Sequence, residues 1–266
     1  MQARYSEVTE SPGQMATREQ LERLYQRYRF ASRYTASGEV LEVGCGSGLG
    51  LGYLADCSSN VVGGDIDKDN VNIAAKYYAN RRDITILQLD AHELSFANAS
   101  FDTILLFEAI YYLERPDRFV SEAYRLLREH GRLILCTVNK SWRDFHPSKY
   151  SQEYLTVQEL SALLRSEFCD VELYGAFEVM DTSFIQKFLS ATKRTASKLN
   201  LIPGSLRARE LLKRVFIGKL KPIPVQVYEG MADYHDLVPI AGDATTERFK
   251  IIYAVASKHD EKKRQR

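Results

Sequence analysis

Residues 40–50 read Val-Leu-Glu-Val-Gly-Cys-Gly-Ser-Gly-Leu-Gly, and no other stretch of the 266-residue chain narrows its fold as much. A run of strand character meets glycines at alternate positions, Gly44, Gly46 and Gly48, and then a helix-forming segment near Leu49–Cys57. Glycine lets backbone approach a ligand closely, and the helix start beyond it offers unpaired N–H groups. A dinucleotide fingerprint needs a third glycine three positions after the second; Leu49 and Leu51 stand there instead, which weakens a pyrophosphate reading.

The alternation continues downstream. Val61–Asp65, Ile84–Leu89, Phe101–Phe107, Gly131–Val138 and Val171–Tyr174 read as strands, and Lys68–Asn80, Arg115–Arg128 and Thr156–Glu167 as helices. Strands separated by helices pair in parallel, which predicts a doubly wound α/β sheet with its ligand crevice at the carboxyl ends of the strands. Ahead of it, Thr17 and Gln20 have capping-box spacing before Leu21, Leu24, Tyr25 and Tyr28 on one helical face, and Ser37-Gly38 closes that element. Residues 249–256, FKIIYAVA, return to strand character after an interruption. Four units are predicted: a helical lid over 1–37, a core over 38–179, an inserted basic helical subdomain over 180–245, and the last strand with a charged tail over 246–266.

Hydrophobic residues at 45% and charged residues at 27% suffice for a packed core, and a formal charge of +1 excludes a globally basic nucleic-acid binder. The charge is uneven, however. Residues 185–222 hold ten Lys/Arg against the single acid Glu210, and four of the seven prolines (Pro203, Pro222, Pro224, Pro239) fall within the insertion. Phe184, Ile185, Phe188 and Leu189, and again Leu211, Leu212, Val215 and Phe216, recur at helical spacing among Lys193, Arg194, Lys198, Arg207, Arg209, Lys213 and Arg214. Three readings follow: a lid shaping the acceptor pocket, a basic amphipathic surface over 184–220 resting on anionic membrane, and a nucleic-acid-binding or simply solvated helix pair. No aromatic–basic interleaving of an RNA-binding sheet is present, which argues against nucleic acid.

Cys45, Cys57, Cys136 and Cys169 lie 12, 79 and 33 positions apart and make neither a CxxC motif nor a metal cluster, so reduced thiols and no metal site are expected. The first residues lack an apolar signal core and no apolar run approaches the ~20 residues of a membrane span, so a cytoplasmic location is expected.

Four predicted strand tips converge on one crevice. Asp65, nineteen positions past Gly46, can accept from both hydroxyls of a ribose. Asp90 and Ala91 close the third strand, where a polar side chain and a backbone N–H can read an adenine edge, and Phe107 and Glu108 close the fourth. VLEVGCGSG, GGDID, LQLDA, SFDTILLFEAIYYL and GRLILCTVN, in this order and spacing, resemble the class I S-adenosylmethionine-dependent methyltransferases over residues 38–175. The resemblance implies a Rossmann-like, mostly parallel sheet of seven strands whose last strand, 249–256, runs antiparallel beside the fifth, with a helical insertion before it. It also implies S-adenosylmethionine as cofactor and S-adenosylhomocysteine as product. Gly44, Cys45, Gly46 and Gly48 would surround the methionine part, Asp65 the ribose, Ile66 the adenine face, and Asp90 with Ala91 the adenine amino edge. Glu42 matches an acid that braces the loop or meets the cofactor's ammonium group, and Phe107, Tyr28 and Arg27 complete the expected cofactor side.

Methyl transfer from a sulfonium needs alignment, removal of water and, for a hydroxyl acceptor, a base. Glu108 reads as that base or an acceptor-positioning group, alternatively as a cofactor-side or helix-start carboxylate; Tyr111 and Tyr112 read as pocket lining. His146, in the Trp142-bearing loop after the fifth strand, reads either as a general base or as a surface histidine. The stretch Tyr154–Leu160 and the loop before it resemble bacterial methyltransferases linked to saccharide assembly, which implies a small-molecule oxygen acceptor, a sugar. The other readings are a non-catalytic S-adenosylmethionine- or nucleotide-binding regulator and an RNA methyltransferase using the basic insertion.

Overall fold

The computed structural model describes residues 5–179 and 220–259. Its elements follow in chain order as β1 (Met15–Ala16), α1 (Arg18–Ala31), β2 (Glu39–Val43), α2 (Leu51–Ala55), β3 (Asn60–Asp65), α3 (Lys68–Tyr77), β4 (Ile84–Gln88), β5 (Phe101–Phe107), α4 (Pro116–Leu126), β6 (Leu127–Val138), α5 (Val157–Arg165), β7 (Asp170–Glu178), β8 (Lys221–Pro222), β9 (Val238–Ile240) and β10 (Phe249–Ser257). Local chemistry sets the helix starts. Thr17 accepts from the Gln20 N–H while the Gln20 side chain accepts from the Thr17 N–H, Thr156 and Glu159 repeat the arrangement at α5, and Asp67 caps α3.

The main sheet runs β4-β3-β2-β5-β6-β10-β7-β9. The pairs from β4 across to β6 are parallel, whereas β10 is antiparallel to both β6 and β7. The expected antiparallel placement of the last strand beside the fifth therefore holds. The sheet has eight strands rather than seven, because β9 adds an antiparallel edge to β7 through Gly175↔Val238, Tyr174↔Pro239 and Leu173↔Ile240. Proline in the middle of a three-residue stretch hides a strand from sequence, yet an outer edge tolerates its missing N–H.

Strand alternation divides the core between two faces. Ile104, Leu106, Leu133 and Leu135 pack with Phe119, Leu126, Leu160 and Leu164 of α4 and α5. Their neighbours Leu105, Phe107, Ile134 and Cys136 pack with Leu21, Leu24, Leu51 and Leu54 of α1 and α2. On β2 the same alternation turns Val40 toward α1 and α2, and Leu41 and Val43 toward the other side. Glu42 follows Val40. An apolar sandwich thus carries a carboxylate at the carboxyl end of its central strand. Chain order reverses between β2 and β5, the switch point at which such sheets open a ligand crevice.

Of the predicted insertion, residues 220–245 are described. Residues 220–245 form no helix; they pair β8 with β1, bury Ile223 and Val227 against the α1–α2 side, and supply β9. Backbone pairing drives this course, with Gly13 N–H donating to Ile223 O, Ile223 N–H to Gln14 O and Val227 N–H to Leu49 O. The apolar and basic positions at 184–216 lie outside the described residues. No helix among the described residues is long and apolar enough to cross a membrane.

Candidate active site

A cavity of about 550 Å³ opens at the switch point, a volume suited to a nucleoside-sized ligand. The glycine loop forms its floor. Gly44, Gly46 and Gly48 adopt φ of +68°, +56° and +81°, a left-handed path that residues bearing Cβ rarely follow. A Cβ on Gly46 would also stand 2.7 Å from Thr9 Cγ2, so the loop and the N-terminal segment fit only because nothing projects there.

Asp65, at the tip of β3, is buried and its carboxylate organises the loop. Oδ2 accepts from the Gly46 N–H at 2.8 Å, and Oδ1 accepts from the Asp67 N–H at 2.8 Å and the Asn70 amide at 3.4 Å. Burial pushes its carboxyl up, and these donors pull it back only partly. Ile66 beside it is 42% exposed, a large apolar side chain left as an open platform in the cavity wall. Opposite, Asp90 accepts from the His92 N–H at 2.9 Å and pairs with His92 Nδ1 at 2.7 Å; burial opposes these contacts, yet they hold Asp90 below the usual carboxylate range. Ala91 is buried against the same wall.

Glu42 is 1% exposed. Oε1 accepts from Tyr28 OH at 2.8 Å, but Oε2 is buried with no hydrogen-bond partner. Burial pushes the carboxyl up to about 7, against the pull of Tyr28 and Arg27. Arg27 Nε is likewise buried without a hydrogen-bond partner. Arg27 pairs with Glu10 through Nη2 and lies 5.7 Å from the Tyr28 ring centroid. A carboxylate and a guanidinium thus line the same cavity, each lacking one partner.

The other end of the cavity is built by other elements. Glu108 follows β5 with φ +50°, a left-handed conformation at a non-glycine position next to the cavity. Its carboxylate accepts from Tyr111 OH at 3.1 Å; burial raises its proton affinity, opposed by the positive charges of Arg27 and Arg23. Tyr111 stacks on Tyr154 at 4.2 Å, and Tyr112 OH meets Ser148 Oγ at 2.8 Å, so the loop after β6 is tied to this corner. Over the opening lies the segment ahead of β1. Ser47 Oγ donates to Glu10 O, the Ser6 N–H donates to Asp67, and Glu7 receives Lys149 Nζ and Tyr150 OH at 3.1 and 2.8 Å. Tyr5 meets the rings of Tyr112 and Tyr150 edge-on.

The structure brings Tyr28, Glu42, Gly44, Cys45, Gly46, Asp65, Ile66, Asp90, Ala91, Phe107, Glu108, Tyr111 and Tyr112 to one cavity. Two predicted residues stand elsewhere. Gly48 is not in the lining; its carbonyl accepts from Tyr78 OH and a Cβ on it would meet Ala74 at 2.9 Å, which makes it a packing and turn position. His146 is exposed and absent from the cavity wall, because the loop packs Ser148 and Tyr154 on Tyr112 and Tyr111 and leaves His146 at the surface. Sequence reasoning missed Tyr5, Thr9, Glu10 and Arg23. The first three belong to an N-terminal segment with no periodic pattern, whereas Arg23 had a legible signal, standing one helical turn before Arg27 on α1.

Residues 41–135 match the family model described as "Methyltransferase domain". A Mycobacterium tuberculosis protein named "Probable S-adenosylmethionine-dependent methyltransferase" is 33% identical over 154 residues, which are 56% of this chain and 55% of the relative. A ubiquinone biosynthesis O-methyltransferase of Bartonella bacilliformis is 26% identical over 49% of this chain and 53% of its own length. The chain spans about half the length of these curated relatives. Among solved structures, a SAM-dependent methyltransferase from Thermotoga maritima superposes with TM-score 0.54 at 16% identity, over 90% of this chain and 92% of its own. Phosphoethanolamine N-methyltransferase 2 of Haemonchus contortus, in complex with S-adenosyl-L-methionine, does so with TM-score 0.53 at 16% identity, over 94% of this chain and 54% of that one. At such identities these two likenesses concern the fold.

Proposed function

We propose that the chain is a class I S-adenosylmethionine-dependent methyltransferase that transfers the cofactor's methyl group to an oxygen of a small-molecule acceptor, a reading supported by the matched methyltransferase domain and the curated relatives. The observation that carries the reading is two buried polar atoms of opposite character, each without a partner. Glu42 Oε2 lacks a donor and Arg27 Nε lacks an acceptor, and both line the cavity of the glycine loop. An amino-acid moiety carries an ammonium and a carboxylate, the two groups that would satisfy them. Adenosine fits the remaining wall, with Asp65 available to ribose hydroxyls, Ile66 and Ala91 to the adenine faces and Asp90 to its edge.

When bound, S-adenosylmethionine supplies a methyl group already activated on a sulfonium. The protein's own work is alignment, exclusion of water and proton handling. Residues 5–10, held across the opening by Ser47, Asp67 and Lys149, reduce access of water to the site. The Glu108 carboxylate, oriented by Tyr111 and raised in proton affinity, is placed to accept the proton of an acceptor hydroxyl. The relatedness to ubiquinone biosynthesis O-methyltransferases supports oxygen as the atom methylated, while a saccharide acceptor gains no support from these relatives.

The test is calorimetric titration with S-adenosylhomocysteine, followed by detection of S-adenosylhomocysteine released from S-adenosylmethionine across a panel of hydroxylated acceptors. Micromolar binding and acceptor-dependent release that falls ~10²–10⁴-fold in Glu108→Gln are expected. Tight binding without release for any acceptor would leave the regulatory reading in its place, and no binding would end both.

A further inference from the structure

Arg23 lines the acceptor end of the cavity, and the mechanism above gives it no task. Its guanidinium carbon stands 5.4 Å from the Phe177 ring centroid and 6.0 Å from that of Trp142, within cation–π reach of both rings. Its Nη2 donates to Glu19 Oε1 at 2.6 Å, but its buried Nε has no hydrogen-bond partner. Glu19 is shared with Lys250, whose Nζ donates to it at 2.7 Å and lies 5.5 Å from the Trp142 ring centroid. Two cations therefore answer one carboxylate, so the Arg23–Glu19–Lys250 group carries one net positive charge. A buried guanidinium N–H without an acceptor carries an unrecovered desolvation cost, and a ligand oxygen would recover it.

The neighbouring guanidinium does not compete for that ligand group. Arg27 lies one helical turn along α1, is neutralised by Glu10, and is the group assigned above to the cofactor's carboxylate. Arg23 lies nearer the Trp142-bearing loop and adds its charge to the field at Glu108. Resting on the methyltransferase reading, we infer that Arg23 recognises a carboxylate on the acceptor, so that the molecule methylated is a hydroxylated monoanionic acid with its hydroxyl toward Glu108. The single net positive charge of this group, with the Glu108 carboxylate beyond it, answers a carboxylate better than a phosphate dianion, which selects between the two common oxyanions.

The test uses protein saturated with S-adenosylhomocysteine and titrated calorimetrically with matched probes. These are dihydroxybenzoate against dihydroxybenzamide, hydroxybutyrate against hydroxybutyramide, and hydroxyphenyl phosphate. At least one acid is expected to bind about tenfold or more tightly than its amide, and more tightly than the phosphate ester. In Arg23→Gln that preference should shrink to within about threefold, while S-adenosylhomocysteine affinity stays within about threefold and reports an intact fold. Arg23→Lys, which keeps the charge but loses the Nε geometry, should fall between. Absence of an acid preference in every pair, its persistence in Arg23→Gln, or stronger binding of the phosphate ester overturns the proposal. Failure of the unsubstituted protein to bind S-adenosylhomocysteine at all overturns the methyltransferase reading instead, and the two failures are read in separate titrations.

Discussion

The two ends of the cavity are built by different rules. The glycine-loop end comes from consecutive strand tips, β2, β3, β4 and β5, with Asp65 held by the Gly46 and Asp67 amides and Asp90 by the His92 amide, while Glu42 rests on the Tyr28 hydroxyl of α1. The acceptor end is assembled from the N-terminal segment, α1, the residues after β5 and the loop after β6, and is held side chain to side chain. Backbone-built sites keep their geometry through many sequence changes. Sites built from side chains change specificity with single substitutions, as expected where one scaffold serves different acceptors.

The sharpest way to break this contrast is Asp65→Ala. The substitution removes the carboxylate proposed to meet the ribose and also leaves the Gly46 and Asp67 amides unpaired, so S-adenosylhomocysteine affinity should fall about 100-fold by calorimetry. A loss under threefold would mean that the loop does not depend on the β3 carboxylate.

Next in size is Gly50→Ala, aimed at the joint between the two ends. A Cβ there would sit 1.8 Å from the Tyr28 ring, the same ring whose hydroxyl holds Glu42. Displacing Tyr28 should destabilise the protein by about 1–3 kcal/mol in chemical denaturation and weaken S-adenosylhomocysteine binding together with it. Stability lost without affinity would show that Tyr28 braces the core and not the site.

Glu42 gives a subtler signature. Its carboxyl titrates near 7 in the folded protein because it is buried, well above its value in an unfolded chain. The neutral form is the one burial favours, so its contribution to unliganded stability is complete below about pH 4 and is lost as pH rises through about 7. A ligand ammonium favours the ionised form, so binding should release a proton. S-adenosylhomocysteine affinity should then rise as pH increases from 6 to 7, by at most about tenfold per unit, and Glu42→Gln should flatten the slope. Calorimetry in buffers of different ionisation enthalpy reads the proton directly. The smallest effect is expected at the exposed loop, where His146→Ala should change kcat/KM by less than about twofold. A larger loss would return that histidine to the chemistry.

Much of the cofactor end was legible because its residues are tied to strand periodicity. Each strand tip falls where an apolar alternation stops, and Asp65 and Asp90 stand at those stops, as Glu108 does at the edge of the other end. The acceptor end resisted for the opposite reason. Arg23 reads as one more charge on an amphipathic helix until Trp142 and Phe177, more than a hundred residues away, close on it. Residues 5–10 have no pattern to read, since their place depends on Ser47, Asp67 and Lys149. His146 was misplaced because sequence locates a loop at the correct end of a sheet without saying which of its side chains turn inward.

By itself the sequence determined the doubly wound parallel core, the glycine loop and the carboxylates facing it, since these follow from period, capping and backbone conformation over short spans. The tertiary structure alone decided the eighth strand, the segment crossing the cavity, the loss of Gly48 and His146 from the site and the arrival of Arg23 within it. Those outcomes depend on contacts between residues far apart in the chain, and local pattern carries no record of which distant side chain leaves a buried polar atom unpaired.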